Sequence, residues 1–265
     1  LVFFDDYDLF GEFAGARWNS GLSLYDNLAA AIQTLASRES LSRVLEETAA
    51  NILHRGLLDR SVDRRTRERA LGVLPAIGPD AAAAVPNLAE IIQDDQDDLL
   101  ENAVAALDAI GPAAAPAVPR LIEIATADLA NARARGIACL GSIGPAAAQA
   151  VPLLVDFLLK RVPFDPDPWY VSLAAIALGD IGAVEAVPAL VQVLQDTTDP
   201  GDASTIIFAL ARVGPDAAAA RPQLEALALG QFDDVHFPMN DDIQDALYVA
   251  LQSIGLQSRF DEPDS

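Results

Sequence analysis

The phrase AIGPAAAPAVPRLIEI, residues 109–124, holds three prolines, five alanines and one glycine. Slightly reworded, it stands upstream as AIGPDAAAAVPNLAEI (residues 76–91) and downstream as SIGPAAAQAVPLLVDF (residues 142–157). Self-similarity at a fixed interval is the signature of a repeat architecture, so the period decides the fold.

The glycine closing each IG or VG phrase recurs as Gly78, Gly111, Gly144, Gly182, Gly214 and Gly255, at intervals of 33, 33, 38, 32 and 41 residues. One residue before it stand Ile77, Ile110, Ile143, Ile181, Val213 and Ile254. Four before it stand Leu74, Leu107, Leu140, Leu178, Leu210 and Leu251, all leucine. Seven or eight before it, apolar residues return as Leu71, Val104, Ile137, Ile207 and Tyr248. Spacings of three and four place these side chains on one stripe of a helix. The glycine then predicts a left-handed stop, and Pro79, Pro112, Pro145 and Pro215 directly after it prevent continuation.

Eight residues beyond the glycine comes a second proline, at Pro86, Pro119, Pro152 and Pro222, with Pro188 at six. Proline suits the first turn of a new helix, where its missing N–H is no loss. Behind it runs a second apolar stripe: Leu88, Leu121, Leu154, Leu190 and Leu224, then Ile91, Ile124, Phe157, Val193 and Leu227. Each unit therefore predicts a first helix of about 13 residues, an alanine-rich corner and a second helix of about 9. Asp98, Asp128, Asp167, Asp202 and Asp242 are the expected caps of first helices. Neither helix can bury its stripe alone, whereas stacked units can. The expected fold is all-α: a superhelical solenoid of stacked antiparallel helix pairs.

The repeats are expected over residues 61–258, with a flexible tail at 259–265. Residues 1–60 read as divergent N-terminal capping helices. Leu24, Leu28, Ile32 and Leu35 share one face there, as do Leu41, Leu45, Thr48 and Ile52. Phe3, Phe4, Phe10, Phe13 and Trp18 are expected to fold over the open end of the stack. The opening LVFF reads either as the tail of a removed signal or anchor, or as a buried packing segment.

Composition agrees with closely packed helices. Hydrophobic content is 52%, much of it alanine, and aromatics are only 6%. No uninterrupted apolar run reaches the roughly 18 residues of a membrane span. A single cysteine excludes an internal disulfide and a thiolate metal cluster. The net charge of −22 is uneven: residues 1–70 carry 9 basic and 11 acidic side chains, residues 71–265 carry 8 and 28. The second part should repel nucleic acid and anionic membranes, so no nucleic-acid partner is expected. A cytoplasmic location is the expectation, with a periplasmic or anchored one the alternative should a signal precede Leu1.

The phrase ALDAIGPAAAPAVPRLIEI resembles HEAT repeats, in the short bacterial form related to the phycobilisome-lyase type. The resemblance covers about residues 61–255 and rests on the leucine, Ile-Gly and proline columns recurring together. It implies a right-handed α-solenoid, an armadillo/HEAT-like superhelix, that holds other macromolecules and carries no shared catalytic motif. HEAT first helices often carry an arginine eleven residues before the glycine, ladder-bonded to an aspartate. That column here reads Arg67, Leu100, Arg133, Val171, Ala203 and Gln244, so only two of six positions carry it.

Candidate sites lie where the repetition fails or leaves a position free. In HEAT-type stacks the second helices usually line the concave face. There Glu90, Glu123, Asp156 and Gln192 recur between the core leucines, as a short negative ladder or the ordinary solvated side of an amphipathic helix. The insertion KRVPFDPDPWY brings Phe164, Trp169 and Tyr170 into an aromatic-poor chain, as partner anchors or as cover for neighbouring repeats. The insertion QFDDVHFPMNDD reads as a solvated loop anchored by Phe232, Phe237 and Met239. Its Asp233, Asp234, His236, Asp241 and Asp242 match no metal-binding spacing, so no metal is expected. The arginines of RGLLDRSVDRRTRER read as helix-spaced ion pairs. Cys139 shares a small-residue column with Val73, Ala106, Ala177, Ala209 and Ala250, which predicts packing. His54 and His236 have no nucleophile and third group at triad spacing, so no catalytic residue and no cofactor is expected. The expected function is a non-enzymatic interaction or scaffold module for a protein or peptide, with a basic partner favoured by charge. The alternative, implied by the resemblance, is an accessory subunit of a chromophore lyase-like or other enzyme system.

Overall fold

Each of the first five recurrences of the glycine phrase becomes the same three-part element: a helix, a 3-10 turn and a second helix. The computed structural model describes residues 64–93, 99–127, 130–160, 162, 169–230 and 237–255. The expected capping helices, the arginine cluster before Arg64, Phe164, both histidines, Asp98, Asp128, Asp167, Phe232, Asp233, Asp234 and the tail lie outside the described residues. Among the described residues there is no strand.

The chain divides into two compact units, one ending at Ala117 and the other beginning at Val118. The first contains α1 (Arg64–Ile77), α2 (Val85–Gln93) and α3 (Leu100–Ile110). The second contains α4 (Val118–Thr126), α5 (Ala130–Ile143), α6 (Val151–Leu158), α7 (Trp169–Ile181), α8 (Val187–Asp196), α9 (Pro200–Val213), α10 (Arg221–Ala228) and α11 (Asp241–Ser253).

The alanine corners are 3-10 helices of seven residues at Gly78–Ala84, Gly111–Ala117, Gly144–Ala150 and Gly214–Ala220. In a 3-10 turn the side chains at i and i+3 eclipse, which small residues tolerate best. The buried alanines are spaced by three: Ala81 and Ala84, Ala114 and Ala117, Ala147 and Ala150, Ala217 and Ala220. The fourth corner is cut to Val184–Ala186, which explains why Pro188 arrives early. Every corner glycine has positive φ, as expected of a stop. However, Gly111 (φ 68°, ψ −133°) and Gly214 (φ 73°, ψ −141°) are far from the left-handed helical basin. That combination is open to glycine almost alone, a stricter demand than a simple left-handed cap.

The leucine column is the core. Leu74 and Leu107 in the first unit, and Leu140, Leu178, Leu210 and Leu251 in the second, are all buried. Burial of each such side chain contributes on the order of 1.5–3 kcal/mol. Two positions differ from the expected stripes. Tyr248 is exposed and Leu247 is buried in its place. Val193 is half-buried, whereas Leu194 is buried, as Ile92, Ala125 and Leu158 are at the same position of their helices.

In the first unit α1 packs on α3, and α2 packs on α3 and its 3-10 corner. In the second unit α5, α7, α9 and α11 form one layer, each packed on the next. Each second helix packs chiefly against the following first helix: α4 on α5, α6 on α7, α8 on α9 and α10 on α11. The antiparallel pairs thus join one repeat to the next, which is how each apolar stripe finds cover.

Two expected caps move. Asp199, not Asp202, caps α9: its Oδ1 accepts from the backbone N–H of Gly201 (2.7 Å) and Asp202 (3.0 Å). Pro200 occupies the first turn, so the cap lies just before it. Asp202 is inside the helix and accepts from Ser172 Oγ at 2.5 Å. Asn240 caps α11 through Ile243 N–H at 2.9 Å, with Asp241 and Asp242 in the first turn. Arg221, which replaces the usual valine before proline, donates from Nη2 to the Ile254 carbonyl at 2.8 Å. This supplies a donor to the carbonyl end of α11.

Residues Arg133–Leu158 are apolar and continuous enough to pass for a membrane span by length and composition. The stretch is not one rod. Gly144, with φ of 71°, and its 3-10 turn break it into α5 and α6, 14 and 8 residues long. Neither reaches the roughly 20 residues that cross a bilayer.

Candidate functional site

The second helices set their apolar stripe inward, and the residue four after the proline points out between its members. Glu123 on α4 is exposed between buried Leu121 and Ile124. Asp156 on α6 is exposed between buried Leu154 and Phe157. Gln192 on α8 is exposed as well, and α6 and α8 pack on each other. Glu90 holds the same place on α2 of the first unit and is exposed. Glu123 is not a bare charge: Arg120 Nη1 donates to its Oε2 at 2.6 Å, three residues along the helix. The arginine side chain is 17% exposed and the glutamate 64%, so the carboxylate remains the outward group of the pair.

The aromatic pair separates. Trp169 and Tyr170 open α7 instead of lying in a loop. Trp169 is 64% exposed. Tyr170 is buried: its ring lies 5.7 Å from that of Phe157, and the Arg133 guanidinium sits 5.6 Å from its centroid. Arg133 in turn donates to the Ala127 carbonyl at 2.5 Å, ahead of α5. Tyr170 therefore ties α7 to α5 and α6: of the two readings, partner anchor is corrected here to cover for neighbouring helices. The reason is helical phase: one residue from Trp169 is a rotation of about 100°, which turns Tyr170 inward.

Residues 118–211 match the family of HEAT repeats. That stretch, α4 to most of α9, carries HEAT-type repeats. It is similar in structure to an engineered protein whose crystal structure was solved by a structural genomics consortium (TM-score 0.57, 21% identity, 78% of this chain and 96% of that chain). It is also similar to a designed armadillo repeat protein (TM-score 0.53, 18% identity, 80% of this chain and 100% of that chain). At these identities the likeness is one of fold. No curated protein matches the chain in sequence.

The repeats also carry links that periodicity does not disclose. Asp180 and Arg212, each two residues before its corner glycine, form an ion pair between α7 and α9. Burial pushes the Asp180 carboxyl above its ordinary range, and the charge and hydrogen bond of Arg212 oppose that rise. Gly141 and Gly179, each three residues before its corner glycine, let neighbouring HEAT first helices touch. A Cβ at Gly141 would lie 3.0 Å from the Ala177 Cα, and one at Gly179 would lie 2.9 Å from the Ala209 Cα. The glycines stood in the sequence at matched positions, and that coincidence was the available signal.

Cys139 is fully buried, as the small-residue column predicts. Among the described residues no three His, Cys, Asp or Glu side chains come together as metal ligands. In the second insertion Phe237 is buried, whereas Met239 is exposed and does not anchor the loop. The arrangement offers a broad helical surface with outward carboxylates and one large exposed indole.

Proposed function

We propose that this chain is a non-enzymatic interaction module that binds a basic protein or peptide along its second helices. The observation that carries the reading is the exposure of Glu123 and Asp156 at the same position of successive HEAT repeats. Carboxylates on preformed helices present charge with no backbone ordering cost at the moment of binding. Their setting adds to this: the whole chain carries a net charge of −22, which attracts a cationic partner over distance. Gln192 extends the surface with a neutral hydrogen-bonding group, Glu90 provides the same function in the first unit, and Trp169 serves as an apolar anchor at the edge.

Affinity capture on the immobilised full chain, wild type against Glu90→Gln/Glu123→Gln/Asp156→Gln, tests this. The same partner should be retained by the wild type and lost from the variant. A partner retained equally by both would remove the acidic column from the account.

A further inference from the structure

A second surface lies on the other layer, on the first helices. The position six residues before the corner glycine reads Gly72, Ala105, Ala138, Ile176, Phe208 and Val249. Small residues fill the first three repeats and large apolar ones the last three. The large three are all in the second unit, on α7, α9 and α11, which pack in succession. They are exposed by 42%, 41% and 43%, and Tyr248 beside Val249 by 50%. Single exposed apolar residues are ordinary, but a row of them on adjacent helices is not.

The register of α7 on α9 makes the first two members of the row neighbours. Ser172 bonds to Asp202, and Gly179 abuts Ala209, each pair thirty residues apart. Ile176 and Phe208 are therefore offset by two residues, roughly 3 Å along the axis. Their helices approach closely enough for the two side chains to meet one ligand.

Charge says which ligand. The three helices carry Asp180, Asp202, Asp241, Asp242 and Asp245 against one base, Arg212, which already pairs with Asp180. An apolar row set among carboxylates fits an amphipathic helix with an apolar stripe and lysine or arginine flanks. A second copy of this chain would bring the same acidic surface, and a net charge of −22, against itself.

We infer that the Ile176–Phe208–Val249 ridge is a docking surface for a basic amphipathic helix, separate from the acidic column of the second helices. The probe is a labelled leucine/lysine peptide of about five helical turns, with a leucine/glutamate version and a sequence-scrambled leucine/lysine version as controls. Fluorescence anisotropy with the full chain should show binding of the first peptide, much weaker binding of the scrambled one and none of the glutamate one. Ile176→Gln/Phe208→Gln/Val249→Gln should weaken binding about tenfold or more. Phe208→Gln alone should act in the same direction, and circular dichroism should show both variants helical. Leu229→Gln, at an apolar site off the ridge that is still more exposed (61%), should bind as wild type. Unchanged affinity in the ridge variants, or equal weakening by Leu229→Gln, overturns the inference. So does failure of the peptide to bind wild type, since the ridge would then be covered within the chain. Conversion of a dimer to a monomer by the ridge variant, seen by sedimentation, would assign the ridge to a second copy and overturn it too.

Discussion

Gly179 sits so close to α9 that a Cβ built on it would lie 2.9 Å from the Ala209 Cα and 3.0 Å from its carbonyl oxygen. Backbone cannot move aside as a flexible side chain can. Gly179→Ala should therefore destabilise by about 1–3 kcal/mol, the usual cost of overpacking. Gly141→Ala should act in the same direction. Gly72, which has open space around its position in α1, gives the opposite sign: Gly72→Ala should stabilise by about 0.5–1 kcal/mol. Urea unfolding of the three variants checks the order.

Asp180 and Arg212 predict a pH dependence. The folded-state carboxyl of Asp180 is raised above 3.8, with burial as the leading cause. A raised carboxyl holds its proton longer in the folded state. Its stabilising contribution is full below the unfolded pKa and is lost as pH rises through the folded one. Stability relative to Asp180→Asn should thus fall as pH rises from below 3.8 through that raised value. Arg212→Ala should widen the window, because the opposing charge is gone. At neutral pH it should destabilise by less than about 1 kcal/mol, as the pair is half-open to solvent. Thermal melts across the acid range read both effects.

Asp199→Ala should cost about 1 kcal/mol, the usual loss for an N-cap with two N–H partners, and Asn240→Ala a similar amount. Asp202→Ala should leave the α9 cap intact and remove only the Ser172 bond. If Asp202→Ala proved the more damaging at this end of α9, the cap assignment would be wrong. Chemical denaturation of the three variants decides it.

Tyr170→Ala should destabilise by about 3 kcal/mol or more, since a buried ring leaves a cavity beside Phe157. Trp169→Ala should stay within about 0.5 kcal/mol, as expected of an exposed position. The ranking distinguishes a core tyrosine from a partner anchor, and guanidinium unfolding measures it.

The parts of the fold legible in the sequence were those set by periodicity within one helix. The leucine column, the corner glycines and the second prolines each express a local rule, and each reappears in the structure. What was not legible depended on where one helix lies against another. Nothing along the chain says that Gly179 meets Ala209, that Asp180 reaches Arg212, or that Ser172 takes Asp202 from its expected capping role. Tyr170 stays open between anchor and cover for a related reason: the proline-rich insertion reads as loop, and the phase of α7 becomes visible only against α5 and α6. The acidic column was legible because it needs only the phase of the second helix. The Ile176, Phe208 and Val249 row was equally aligned in sequence, but its exposure emerges only after the layers are assembled.

The central claim is that carboxylates on the second helices form the binding surface. Its most direct test is calorimetric titration of the full chain with an arginine/serine peptide lacking apolar residues, at low and physiological salt. Binding should weaken with salt and be weakened about tenfold further by Glu90→Gln/Glu123→Gln/Asp156→Gln. Equal affinity of wild type and variant at both salt concentrations would contradict it.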